Sequence, residues 1–413
     1  MDTAAVGTQA TYGTLFANSE FRALWLAQIL SVLGDQLARV ALTLLVYVRT
    51  GSPLLAAVTF AASVLPVFVG GLVLSGLADR LPRREVMIAC DLARLVLVLI
   101  MAIPGVPLLV LVGLLFAVTT ISTPFTSARA AMYPDILPGD SFALGAAVTM
   151  TTYQIALVAG FAGGGTVVGL FGVRPSLLAD AATFAVSALI TWFWVRPRPA
   201  ARPGGAVDPA AAPPAASSGR PTRRGGGATA GVRLVFSRPA LRTPMLLGCL
   251  SAFYNAPEGV AAPLAHSVGG GALATGLILT AGALGPSVGA VTFTRLVRPP
   301  ARAALMRPLA IACCATLVLF ALEPGLPLAL LILFVSGLFD CFQVPAISAF
   351  VQAAPAAFRS QVLGVAQAAM SLGQGAAMIA AGAIAEHVSP SAAIAISGAV
   401  GAVAAAVISA GPR

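Results

Sequence analysis

The chain contains no lysine, and its two histidines, His266 and His387, have no acid or cysteine cluster around them. Without lysine there is no Gly-x-x-x-x-Gly-Lys phosphate loop, so the chain carries no ATP-driven motor of its own. No histidine stands near a nucleophile and an acid, so no hydrolytic centre is expected, and with it no enzyme and no cofactor. The five cysteines, Cys90, Cys249, Cys313, Cys314 and Cys341, lie inside apolar stretches with neither metal-ligand spacing nor a disulfide framework. They read as small packing residues, and no metal is expected. Charge itself is scarce, at 9% of 413 residues, where a soluble domain carries about 25%. A surface so poor in charge cannot be mostly wet.

What the chain has in abundance is apolar sequence, 58% of its residues. Twelve apolar segments fit between residues 22 and 410, separated by turns such as Gly51-Ser52-Pro53, Pro104-Gly105, Pro138-Gly139, Pro324-Gly325 and Ser389-Pro390. A bilayer-crossing helix needs about 20 apolar residues, so twelve would use roughly 240. The expected class is an all-α polytopic membrane protein whose solvent is the lipid bilayer. Residues 1–21 lack the apolar core and cleavage site of a signal peptide. The net charge of +10 is all arginine. Position decides its meaning: the arginines cluster at segment ends and in one connector, the positive-inside pattern, and no nucleic-acid partner is expected. With both termini in the cytoplasm, only Arg49 and Arg174 fall outside, Arg39 and Arg94 fall within the membrane, and the other twenty lie on the cytoplasmic side or its edge.

Residues 76–85, Gly-Leu-Ala-Asp-Arg-Leu-Pro-Arg-Arg-Glu, join two of these segments by a tight basic turn. The turn resembles the loop between helices two and three of the major facilitator superfamily, roughly Gly-x-Leu-Ala-Asp-Arg-x-Gly-Arg-Arg. Leu77, Ala78, Asp79, Arg80, Arg83 and Arg84 match; Ser75 and Pro82 replace the two glycines, with Gly76 adjacent to the first. Residues 197–231 are rich in Pro, Ala, Gly, Ser and Arg with no apolar period, as a disordered linker is, and they divide the segments six and six. The resemblance implies twelve transmembrane helices in two pseudo-symmetric six-helix bundles, residues 1–196 and 243–413. Between them lies a cytoplasmic linker, 197–242, with a short interfacial helix near 232–242, where Leu234, Val235 and Leu241 alternate with arginines. It also implies that Gly76, Asp79, Arg80, Arg83 and Arg84 form an inner gate. Asp79 would meet the N-terminal end of helix eleven, and the arginines nearby acids. Phe21-Arg22-Ala23-Leu24-Trp25, Gly34-Asp35 and Thr50-Gly51-Ser52 resemble the opening of the siderophore-exporter and macrolide-efflux branch, a broad branch, and the resemblance implies a bacterial exporter. The helix-five antiporter motif, Gly-Pro-x-x-Gly-Gly, appears as Gly160-Phe161-Ala162-Gly163-Gly164-Gly165, with Phe161 in place of proline.

A charge at bilayer depth is expensive, so each intramembrane charge must be paired, wet or useful. Asp35 and Arg39 are four apart on one helix face and form an expected pair, either mutually neutralising or facing a substrate cavity. Glu258 adjoins Pro257 and Gly259, which break a helix where it meets protein or water. It is the first candidate for proton coupling, against the alternative of a protonated packing residue; Asp340 is the second. Asp180 reads as a structural hydrogen-bonding group, and Asp91 with Arg94 as a local pair supporting the basic turn. The expected function is a secondary active transporter working by alternating access, a proton-coupled exporter of amphipathic small molecules such as a drug, antibiotic or siderophore. A metabolite uptake permease and a transport-inactive receptor or scaffold are the alternatives. The expected setting is a bacterial cell membrane, and the expected state a monomer.

Overall fold

A computed structural model describes residues 11–66, 81–137, 139–198, 228–355 and 358–410. Among these residues every regular element is a helix. Thr11 caps α1 (Tyr12–Ala17) in a capping box with Thr14. The side chain of Asn18 then caps α2 (Ser19–Thr50), accepting from the amides of Glu20 and Phe21 at 3.0 and 3.2 Å. Its amide nitrogen donates to Ile136 at 3.1 Å, tying the start of the first span to the end of the fourth. Gly51 ends α2 in the left-handed region, φ 67°, which a side chain would disfavour. Ser52 and Pro53 at once open α3 (Pro53–Ala61). This Gly-Ser-Pro turn is therefore a complete stop-and-start signal.

The remaining helices follow in order: α4 (Arg83–Met101), α5 (Leu108–Ile136), α6 (Asp140–Phe171), α7 (Val173–Trp194), α8 (Ala228–Ser237), α9 (Pro239–Cys249), α10 (Ser251–Gly259), α11 (Ala261–Ser267), α12 (Ala272–Leu296), α13 (Pro299–Leu317), α14 (Leu326–Phe339), α15 (Gln343–Ala353), α16 (Arg359–His387) and α17 (Pro390–Ala410). Nine helical stretches among the described residues are long and apolar enough to span a bilayer. The other three expected spans are not among these nine. The second opens as α3, and residues 67–80 lie outside the described residues. The third, α4, carries Arg83, Arg84, Glu85, Asp91 and Arg94. The seventh is broken into α9, α10 and α11.

The spans form two six-helix bundles. In the first, α2 packs on α6 and α7, and α4 on α5 and α7. In the second, α12 packs on α14, α13 on α17, and α10 on α16. The bundles meet along α6 against α12 and α3 against α16, that is, fifth span on eighth and second on eleventh, as a two-fold repeat requires. Hydrocarbon does not drive helices together in lipid, so close approach falls to small residues. Gly165 and Gly276 lie backbone to backbone, and a Cβ built on either would come within 2.7 Å of the other's Cα. One apolar core, including Val40, Phe60 and Phe161 from the first bundle and Val260, Ile278 and Met378 from the second, crosses the seam. Over part of 232–242 the chain is helical, as α8, which starts a few residues earlier, at Ala228. Val235 and Leu241 are buried with Met245, Phe350 and Val362. Most of the expected linker, 199–227, lies outside the described residues.

Candidate functional site

Both candidate acids of the second bundle stand at interruptions of their helices. Glu258 is two residues before the break at Val260, between α10 and α11. Pro263 has no N–H to give the carbonyl of Gly259, and its ring crowds that turn, so the break follows from sequence. Asp340 opens a 3₁₀ turn, Asp340–Phe342, between α14 and α15. Pro345 withholds the donor that Cys341 would need in the same way. Gln343 donates to Asp340 at 3.3 Å. A cavity of about 10 Å³ adjoins Glu258, lined also by Tyr254, Pro257, Ile278, Gly282 and Leu333. The Tyr254 hydroxyl donates to the carbonyl of Gly282 across it. The sequence pointed to Pro257 as the break; the structure places the break three residues later and adds a matching one beside Asp340.

Arg39 is the cation of the first bundle that acts electrostatically on Glu258 across the seam. Its guanidinium lies 5.6 Å from the Phe60 ring centre, and its Nε is buried without a hydrogen-bond partner. The expected ion pair with Asp35 is not formed, because Asp35 turns to another arginine. Arg94 lies 4.0 Å from it. Arg94 is fully buried on α4, bonded to Asp91 one turn away and to the Ser31 hydroxyl at 3.1 Å. Phe125 and Phe184 cover its two faces at 4.6 and 4.3 Å. Ser187 donates to the second oxygen of Asp91 at 2.7 Å. Asp91 and Arg94 thus form the expected local pair and are the centre of a knot joining α2, α4, α5 and α7. Asp180 also departs from expectation: it is fully buried, with one carboxyl oxygen unpartnered.

Of the basic turn, Gly76, Asp79 and Arg80 lie outside the described residues. Arg83 bonds the Ala131 carbonyl at 2.6 Å and pairs with Asp135 at 2.7 Å, at the end of α5. Arg84 bonds the Trp192 carbonyl and lies over its ring. Both arginines therefore bind within their own bundle, one of them to an acid.

Sequence reasoning missed the closure at the opposite end of the molecule. Glu386 of α16 accepts from the Ser52 hydroxyl at 2.9 Å and the Leu54 amide at 3.0 Å, so an acid of one bundle caps a helix of the other. Beside it the Tyr47 and His266 rings meet edge to face, 5.7 Å apart. Gly382 makes room for Ala57 and the Pro53 carbonyl. Gln154 donates to Ser287 at 3.1 Å nearer the middle. Among the described residues these are the only hydrogen bonds between bundles, and no ion pair joins them at the end that bears the termini. The molecule is closed at the end distant from its termini. In the glycine motif of α6, Gly160 packs on Gln36, Gly164 on Leu37 and Val40, and Gly165 on Gly276, while Phe161 fills the shared core.

Solved transporters share this architecture. A POT family transporter in complex with 5-aminolevulinic acid matches at TM-score 0.71 and 11% identity, over 94% of this chain and 95% of that one. The nucleoside transporter NupG matches at 0.69 and 14%, over 94% and 98%. The human organic anion transporter TETRAN matches at 0.62 and 16%, over 94% and 99%. Such identities establish the fold alone. No curated protein sequence matches the chain. The family model of the Major Facilitator Superfamily matches residues 24–261 and 259–410. Its match over nearly the whole length, on two six-helix bundles, means that the chain belongs to the major facilitator superfamily of membrane transporters.

Proposed function

We propose that this transporter exports amphipathic small molecules from the bacterial cytoplasm in exchange for protons, acting as a monomer with both termini inside. The observation that carries the reading is the placement of Glu258 and Asp340, each at a helix break and each half-buried, in the bundle facing Arg39. Broken backbone at membrane depth is tolerated where it lines a cavity. A carboxyl group there can take up a proton, move with its bundle and release it on the other side. Few charges and many apolar walls suit a substrate that is itself partly apolar. The opening residues Phe21 to Trp25 support placement in the siderophore and macrolide efflux branch. Asp79 and Arg80 would lock the cytoplasmic end when the distal end opens.

The test is transport of a fluorescent amphipathic dye into inside-out vesicles with an acid lumen. Dye accumulates if it is exchanged for protons. Glu258→Gln, which cannot carry a proton, abolishes that accumulation while leaving downhill dye exchange intact. Gradient-driven accumulation by the variant at the wild-type rate would remove Glu258 from the coupling role. Phe161, standing where antiporters of this superfamily carry proline, favours a second reading, uptake in symport with protons. In that case the same gradient drives dye out of the vesicles. A receptor or scaffold gives no flux in either gradient.

A further inference from the structure

We propose that Asp180 of α7 and Asp35 of α2 form a proton-binding carboxyl pair in the first bundle, with the proton stored on Asp180 and exchanged through Asp35. The site is separate from Glu258, and only its use in coupling rests on the transporter reading.

Asp180 is fully buried. An ionised carboxylate offers about four acceptor positions, and here they go unmet. One oxygen has no partner at all. The other faces the Thr183 hydroxyl at 3.5 Å, the limit of a hydrogen bond. That hydroxyl has a single proton, already given to the Asp180 backbone carbonyl at 2.7 Å. Asp91 is the contrast. It too is fully buried, but it holds Arg94 and the Ser187 hydroxyl. A buried ion without such partners is not retained as an ion; it neutralises.

The charge count leads the same way. Asp35, Asp91 and Asp180 all lie in the field of Arg94. Arg94 bonds Asp91 and stands 4.0 Å from Asp35. One guanidinium offsets one carboxylate; Arg39, on the same helix as Asp35, offsets a second. A third guanidinium, Arg129, lies against the Phe125 ring beside Arg94 and among Asp91, Tyr133 and Tyr153, not beside Asp180. Of the three carboxyls Asp180 has the poorest set of partners, and it carries the proton. Of the helices packed against α7, α2 presents Asp35, and α4 presents Arg94 with its partner Asp91, which Ser187 of α7 holds; α6 brings the glycines 160, 163 and 164 and no charge to the shared crevice.

Gly34 makes the pair possible. A Cβ there would fall 2.2 Å from the Asp180 carboxyl and 2.3 Å from the Thr183 hydroxyl. The α7 carboxyl therefore rests on the backbone of the residue that precedes Asp35. Asp35 has 28% of its side chain exposed and Asp180 none, so Asp35 is the outlet. When Asp180 passes its proton to the ionised Asp35, Arg94 loses Asp35 as a counter-ion and the new Asp180 carboxylate takes its place in that field; Asp35, being part-exposed, then gives the proton to water. Like charges sharing a site titrate in this coupled way.

Infrared difference spectra of the full chain in lipid nanodiscs test the pair without any transport measurement. Carbon-13 labelling of aspartate marks the protonated-carboxyl band as aspartate rather than glutamate. The wild type should show a buried protonated aspartate at neutral pH, kept in Asp340→Asn, lost in Asp180→Asn, and moved to a different titration range in Asp35→Asn. Absence of any label-sensitive band from the wild type, or a band unchanged in Asp180→Asn, overturns the proposal. Should Asp180→Asn fail to fold, the wild-type, Asp340→Asn and Asp35→Asn spectra still decide. Because the readout is a bound proton, it stands even if the chain proves not to be proton-coupled; loss of transport in Glu258→Gln with the band intact would show two independent sites.

Discussion

Arg94 illustrates how a charge survives in the middle of a membrane bundle. Its guanidinium is bonded to Asp91 and Ser31 and enclosed by two phenylalanine rings. Removing one partner leaves the other charge buried and uncompensated, which costs about 3–5 kcal/mol. Arg94→Ala should therefore lower thermal stability in detergent sharply. The double variant Asp91→Leu with Arg94→Met should unfold at a higher temperature than Arg94→Ala, since it orphans only the part-exposed Asp35, whereas Arg94→Ala orphans the fully buried Asp91 as well. Equal stability of the single and double variants would mean that the pair does not act as a unit. The spacing of Asp91 and Arg94 was legible in sequence, but its importance was not. Asp35 shows why: four residues separate it from Arg39 and fifty-nine from Arg94, and only packing shows that the distant arginine wins.

Helices in this molecule meet wherever side chains are smallest. The contact of α6 with α12 at Gly165 and Gly276 leaves no room for a methyl group, because the clash would be with backbone on both sides. Gly276→Val should wedge the distal end open. A cysteine placed at Ala272 should then react faster with a membrane-impermeant maleimide applied from the distal side. Unchanged labelling would show that this approach is not needed for closure. The hydrogen bonds from Ser52 and Leu54 to Glu386 would remain a tether, but they involve a flexible side chain and cannot replace backbone packing. Proline gives the same lesson for helix breaks. Pro257 adjoins Glu258, yet the helix yields at Val260, where Pro263 acts from three residues ahead. A proline disturbs the turn that precedes it, so the break must be sought upstream of the ring.

As a whole the protein is two bundles joined by a long connector. Residues 203–226 have no apolar periodicity and so contribute no core. Deleting them should leave the amount of folded, monodisperse protein in detergent, and most of the transport rate, as in the full chain. Loss of folded protein would show that the connector is structural. The bundles themselves are held by an apolar core that crosses the seam and by glycine contacts. Their closure at one end is consistent with a single state of an alternating-access cycle.

The class, the twelve spans, the six-and-six division and the family were all readable from the chain, because each depends on local quantities. These are the length of apolar runs, the turn residues between them, the placement of arginine, and the motif around Asp79. The partner of each buried charge was not readable. Asp35 meets Arg94, Glu386 meets Ser52, and Asp180 rests on Gly34, across separations from tens to hundreds of residues. In lipid the apolar face of a helix has no preferred neighbour, since hydrocarbon and protein are equally apolar. Which helices touch is settled by backbone proximity at glycine and by satisfaction of a few polar groups, and those are properties of the packed molecule.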